Sequence, residues 1–282
     1  MLPFDLSIQV LGGLLAIAWL ASLVRRRQWR LPLGRSQPAV PGTELVQAFG
    51  IIAVYFGALS AMRPLFLSAV TAEQVAIPGS SAWHWVQSAD AAVKLALSGL
   101  MIGMLRARGR RDAQNAGSRK RFLALLPPIG AALIAISICT LQLSGVRAIR
   151  SYFDPGSPLP PHVVLQAIRH SEWGNWGVLQ LSMLAVFVAP LAEELLFRGL
   201  LLEGLRASLA GLAWPAIVVS ALSFGAIHSP PETILPMITF GLILGLLRIR
   251  SGSLTACVCA HMLFNARTIL YVTVAPELLD AG

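Results

Sequence analysis

Long apolar runs alternate with short polar connections along almost the whole chain. The runs are Leu6–Val24, Leu45–Leu65, Ala82–Leu105, Phe122–Val146, Trp176–Leu205, Ala213–Ile227, Thr233–Leu247 and Ser253–Val274. A helix needs about 20 mostly apolar residues to cross a bilayer. The pattern therefore predicts an all-α, polytopic transmembrane bundle of about eight helices, some of them short or interrupted. Between Arg147 and Gly174 the apolar pattern breaks, and Pro155, Pro158, Pro160 and Pro161 fall in the gap. This segment is predicted to be an outer loop with a short interfacial helix at Val163–His170. No internal repeat or low-complexity stretch is evident. Residues 1–282 are expected to form one integral membrane domain. Within it, residues 1–146 supply N-terminal helices, and residues 174–275 form a core that holds the polar motifs.

Composition supports the bilayer over water. The chain is 56% hydrophobic and 12% charged, with mean hydropathy +0.70; a soluble chain carries about a quarter charged residues. The net charge of +9 comes from 22 Lys and Arg against 13 Asp and Glu. These charges cluster between apolar runs, as loop charges of a membrane protein do, and this argues against a nucleic-acid partner. Arg25, Arg26, Arg27, Arg30 and Arg35, then Arg106 to Arg121, then Arg206, then Arg248 with Arg250, all fall in odd-numbered connections. The positive-inside rule puts that side in the cytoplasm. The expected location is a cell membrane, that of a bacterial inner membrane, crossed several times. MLPFDLSIQV lacks a basic leader, and no small-residue cleavage site follows Val24, so Leu6–Val24 reads as the first membrane helix and not as a signal peptide. Trp83, Trp85, Trp173 and Trp176 are placed as an outer aromatic belt, with His84, His162 and His170 as exposed polar residues near it. The three cysteines, Cys139, Cys257 and Cys259, lie in apolar stretches without metal spacing and read as small core residues.

Three polar groups interrupt the last four runs: Glu193, Glu194 and Arg198 in AEELLFRGLL; Phe224 and His228 in FGAIH; His261 and Asn265 in HMLFN. Residues four apart share a helix face, so each group can project into one interior. Counted from the Arg-rich ends, Glu193 lies about 20 Å along its helix, and His228 and Asn265 about 22 Å. A charge at the bilayer centre costs about 2.5–3.5 kcal/mol on insertion scales. Polar groups retained there must be paired, hydrated or protonated, which suits a wet cavity. Glu194 and Arg198 also fit a helix-packing ion pair. Pro190, three residues before Glu193, removes a backbone donor, frees the Val186 carbonyl and predicts a kink. Ser220 and Ser223 are expected to be packing residues and not nucleophiles.

EExxxR, FxxxH and HxxxN, in that order on successive apolar spans, resemble the CPBP family of intramembrane endopeptidases, which includes CAAX proteases and bacteriocin-processing relatives. The resemblance covers about Ala189 to Ala266, in EELLFRGLLLEGLR, SALSFGAIHSP and GLLRIRSGSLTACVCAHMLFNA. It implies a peptidase that needs no cofactor. Glu193 would activate water, His228 would share that water, and His261 and Asn265 would stabilise the oxyanion. Glu194, Arg198 and Phe224 would support the site. General chemistry agrees: a carboxylate in a poorly solvated cavity suits a base near neutral pH, and each oxyanion donor is worth a few kcal/mol.

Three other readings stand beside it. Glu193 or Glu194 with His228 and His261 could ligate zinc, although there is no HExxH and Asn265 is a poor zinc ligand. A transporter could use intramembrane Glu, His and Arg as a proton relay, although no inverted repeat is seen. A non-catalytic binding or immunity protein could keep the fold. The expected partners are the lipid bilayer and a membrane-associated protein or peptide. The cleaved sequence and the oligomeric state leave no signal in the chain.

Overall fold

The computed structural model describes residues 13, 14, 18, 43–69, 72–112, 126–154, 163–209, 211–228 and 230–274. The predicted first span, apart from three of its residues, the basic clusters at 25–35 and 113–121, and His162 lie outside them. The described residues form helices and no strand. In chain order these are α1 (Thr43–Ala69), α2 (Ala72–Ala76), α3 (Ser81–Asp112), α4 (Leu126–Phe153), α5 (Val163–Arg169), α6 (Gly174–Ser208), α7 (Ala213–Ala226), α8 (Ile234–Ser251) and α9 (Leu254–Val274). Every predicted run within the described residues is helical, and α5 matches the expected interfacial helix to within one residue. Among the described residues, four helical stretches are long and apolar enough to cross a membrane: Ser81–Ala107, Pro127–Phe153, Gly174–Ser208 and Pro231–Ser251. Leu45–Ala61 and Ala213–Ala226 are shorter apolar helices. The chain is a multi-pass integral membrane protein. Leu141, Trp176, Leu222 and Phe56 expose large apolar side chains on these helices, a surface that lipid solvates and water would not.

Contacts divide the chain into two compact units. One contains Lys120–Leu159 and Phe197–Phe264, hence α4, the later part of α6, α7, α8 and the first half of α9. Here α7 and α8 approach closely because their facing positions lack bulk. A Cβ on Gly241 would lie 2.9 Å from the Ala221 Cα, and one on Gly245 2.9 Å from an Ile217 methyl. On the α4 side of α8, Cys139 Sγ–H donates to the Pro236 carbonyl at 3.2 Å, and Gln142 Nε2 donates to Thr239 Oγ1 at 2.9 Å. Leu202, Ala213, Ala216, Ile217 and Leu246 form a buried cluster. Cys139 and Cys257 are buried and Cys259 is half-buried, as core residues should be.

Ion pairs mark the two ends of this unit. Glu203 accepts from Arg206 at 2.9 Å and from Arg248 at 3.0 Å. These two arginines were both assigned to the basic side. At the other end of α8, Glu232 pairs with Arg150 of α4, from connections assigned to the opposite side.

The second unit contains Val46–Arg119, Pro160–Leu196 and Asn265–Gly282. The start of α3 is anchored by remote groups: Glu172 accepts the Ser81 N–H at 2.7 Å, and Trp173 Nε1 donates to Ser81 Oγ at 3.2 Å. The Ser81 bond holds the Glu172 carboxyl below its ordinary range. His84 departs from expectation. It is fully buried, its ring stacks on Trp173 at 4.7 Å, and its nitrogens meet Gln180 Oε1 at 2.6 Å and Ser171 Oγ at 2.9 Å. Gln180 Nε2 donates to the His84 carbonyl and to Ser88 Oγ, so its oxygen accepts from His84 Nδ1. The position looked exposed because it neighbours Trp85, which does remain open to the surroundings, as does Trp176. Trp83 and Trp173 turn inward instead of joining the belt.

Candidate active site

Helix α6 carries the first motif and is not a uniform α-helix. Two π-helical turns, Leu184–Val188 and Leu195–Leu201, flank the α-helical stretch Ala189–Glu194. In the first, the Ala189 N–H reaches back five residues to the Leu184 carbonyl. A π turn widens a helix locally and often sits at functional sites. An i−5 step carried one residue further would set Pro190 against the Ala185 carbonyl, and an α-helical step against the Val186 carbonyl. Proline has no N–H to give. Asn265 of α9 supplies one instead, with Nδ2 donating to the Ala185 carbonyl at 2.8 Å.

Glu193 and Asn265 line one cavity of about 340 Å³ in this unit. Its wall is otherwise largely apolar, with Trp83 and residues of α5 and α6, but α3 adds Gln87, Asp90 and Lys94. The sequence reading passed over Asp90 and Lys94. Lys94 Nζ donates to Asp90 Oδ2 at 2.7 Å, and Tyr55 of α1 donates its hydroxyl to Asp90 Oδ1 at 2.5 Å. The available signal was the one used for Glu194 and Arg198: opposite charges four apart inside an apolar run.

Arg198, His228 and His261 gather in the other unit around Phe224, which is wholly buried. His228 lies 4.6 Å and His261 5.8 Å from it between ring centroids, and the Arg198 guanidinium sits 4.5 Å above its face. Arg198, itself fully buried, also donates to the Gly241 carbonyl at 3.2 Å. Phe240 flanks His261 at 5.0 Å. His228 lies just past the end of α7, and its Nδ1 meets the Phe224 carbonyl at 2.6 Å. A carbonyl only accepts, so Nδ1 carries the hydrogen and the neutral ring keeps its lone pair on Nε2. One edge of His228 thus bonds the backbone, and the other edge carries the lone pair. Glu194 is fully buried. Ser220 Oγ donates to the Phe197 carbonyl at 3.3 Å and Ser223 Oγ to Val219 within its own helix, so both serve packing as expected. Among the described residues, no three His, Cys, Asp or Glu side chains are grouped as a metal site would need.

Fold and chemistry together define a class: an all-α integral membrane protein with ionisable side chains inside its apolar helices. Comparison with known families then names the segment. Residues 175–267 match the model for "Type II CAAX prenyl endopeptidase Rce1-like", so this part of the chain is similar to that family, in line with the CPBP resemblance. The family is one of proteases. An Escherichia coli protein described as an uncharacterized 24.3 kDa protein is 38% identical over 86 residues, which is 29% of this chain and 40% of that protein. The chain thus aligns with well under half of this curated relative. No solved structure matches it.

Proposed function

We propose that the chain is an intramembrane endopeptidase of the glutamic type. The observation that carries this is the joint lining of one cavity, among membrane-spanning helices, by Glu193 and Asn265, two motif residues far apart in sequence. The match to the endopeptidase family over residues 175–267 supports it. In this reading Glu193 takes a proton from a water molecule whose oxygen attacks the peptide carbonyl carbon. His228, through Nε2, shares that water. The carbonyl oxygen becomes an oxyanion that accepts hydrogen bonds from His261 and from the Asn265 amide, whose Nδ2 carries two hydrogens and spends one on Ala185. Collapse of the tetrahedral intermediate breaks the C–N bond, and the proton held by Glu193 passes to the leaving amine. Glu194, Arg198 and Phe224 support the arrangement. The substrate is a membrane-associated protein, with a lipidated tail, a leader or a sorting signal as its cleaved part, in the bacterial inner membrane.

The test compares the membrane peptidomes of cells making the wild type and Glu193→Gln, with the winning peptide then assayed on the purified chain. Glu193→Gln should lower cleavage by about 10³-fold or more with the protein still folded. Full activity in that variant would overturn the mechanism. Zinc chemistry is separated by a strong chelator: the metal-free reading expects turnover to persist, whereas loss restored by added zinc selects the metalloprotease.

A further inference from the structure

We infer that Pro190 is a positioning residue for Asn265. The inference rests on reading Asn265 as an oxyanion donor. A backbone carbonyl inside an apolar helix needs a partner, since lipid offers none. The π turn at Leu184–Val188 sets the local step at five residues, shown by the Ala189 N–H on the Leu184 carbonyl. Carried one residue further, that step sets Pro190, which has no hydrogen to give, against Ala185. The Ala185 carbonyl therefore presents an acceptor sideways, and the Asn265 amide takes it at 2.8 Å. All three residues belong to the same compact unit, and Ala185, Asn265 and Glu193 line the same cavity. Proline here does more than bend the helix. It leaves open the one backbone acceptor that fixes the orientation of the amide, and so aims the second Nδ2 hydrogen. Pro190 is fully buried and touches no reacting atom in this scheme; it acts through Asn265.

The experiment restores the missing donor. Pro190→Ala and Pro190→Ser both supply an N–H that competes for Ala185. The full chain has three asparagines, Asn115, Asn175 and Asn265, so selective ¹⁵N-asparagine labelling in detergent micelles gives three side-chain amide signals, with Asn265→Ala identifying the third. In both proline variants the Asn265 side-chain hydrogens should lose protection from solvent exchange by about tenfold or more, while Asn175 and the melting temperature do not fall. Turnover of the peptide found for the wild type should drop by about tenfold, mostly in kcat, and the same substitution in an Asn265→Ala background should change it by less than about twofold. Unchanged Asn265 protection, or an equal loss of turnover with and without Asn265, overturns the inference. A changed amide signal without any effect on turnover removes Asn265 from the catalytic scheme instead. Active Glu193→Gln removes the hydrolase reading and leaves the amide result standing.

Discussion

Two carboxylates of the same cavity illustrate how surroundings assign a role. Both oxygens of Asp90 are taken, one by Tyr55 and one by Lys94, which makes it a clamp for the ammonium. Glu193 faces the cavity beside an amide that is held on the backbone. The Asp90–Lys94 pair keeps about a fifth to a quarter of its side-chain surface open, 19% and 26%, so breaking it should cost less than the roughly 3–5 kcal/mol of a fully buried pair. Lys94→Met should destabilise the protein by about 2 kcal/mol, and adding Asp90→Leu should recover most of that in a thermal-unfolding double-mutant cycle. A second single-residue prediction concerns Glu172. Its carboxyl is held below the ordinary range by the Ser81 N–H, so the bond stabilises the folded state above the ordinary carboxylate range. The contribution falls away as pH drops through the lowered folded value. Thermal scans from neutral to acid pH should show this loss in the wild type, and Glu172→Gln should remove that component of the pH dependence.

At the scale of elements, helix identity was legible and helix register was not. Apolar length and proline punctuation place both ends of α7, α8 and α9, and the start of α3, within a few residues of those observed, because membrane spans must be long and apolar. The π turns of α6 leave no mark in that pattern, since apolar residues fill both registers equally well. The α7–α8 contact shows the opposite case. Gly225, Gly241 and Gly245 look like ordinary membrane glycines in sequence, yet a Cβ at each would meet the facing helix at 3.0 Å or less. Gly241→Val should therefore push the helices apart, at about 1–3 kcal/mol, and disturb Arg198, which bonds the Gly241 carbonyl. The measurement is thermal unfolding in detergent alongside Gly103→Val, where a Cβ meets nothing.

For the whole molecule, charge bias predicted sidedness, and the ion pairs follow it: Arg206 meets Arg248 at Glu203, while Arg150 meets Glu232. Single cysteines at Arg250 and at Trp176, in a background with Cys139, Cys257 and Cys259 replaced, should react with an impermeant maleimide from opposite sides of sealed vesicles. Labelling from the same side would refute the assignment. Motifs at helical spacing drew Glu193, His228, His261 and Asn265 out of the sequence, and the structure puts Glu193 and Asn265 on one cavity and His228 and His261 beside Phe224. Asp90, Lys94 and Tyr55 were missed because they lie in α3 and α1, before residue 175 where the family match begins, and a lone pair of charges in an apolar run carries little signal until its cavity is seen.

The shared carboxylate of Glu203 has a mechanical consequence. It ties the end of α6 to the end of α8, so a change in the tilt of either helix strains its contact with the other when the surrounding lipid grows thicker or thinner. Adjustment to a mismatched bilayer is then shared by both helices, and acyl-chain length becomes a variable to which the rate of the proposed peptidase should respond.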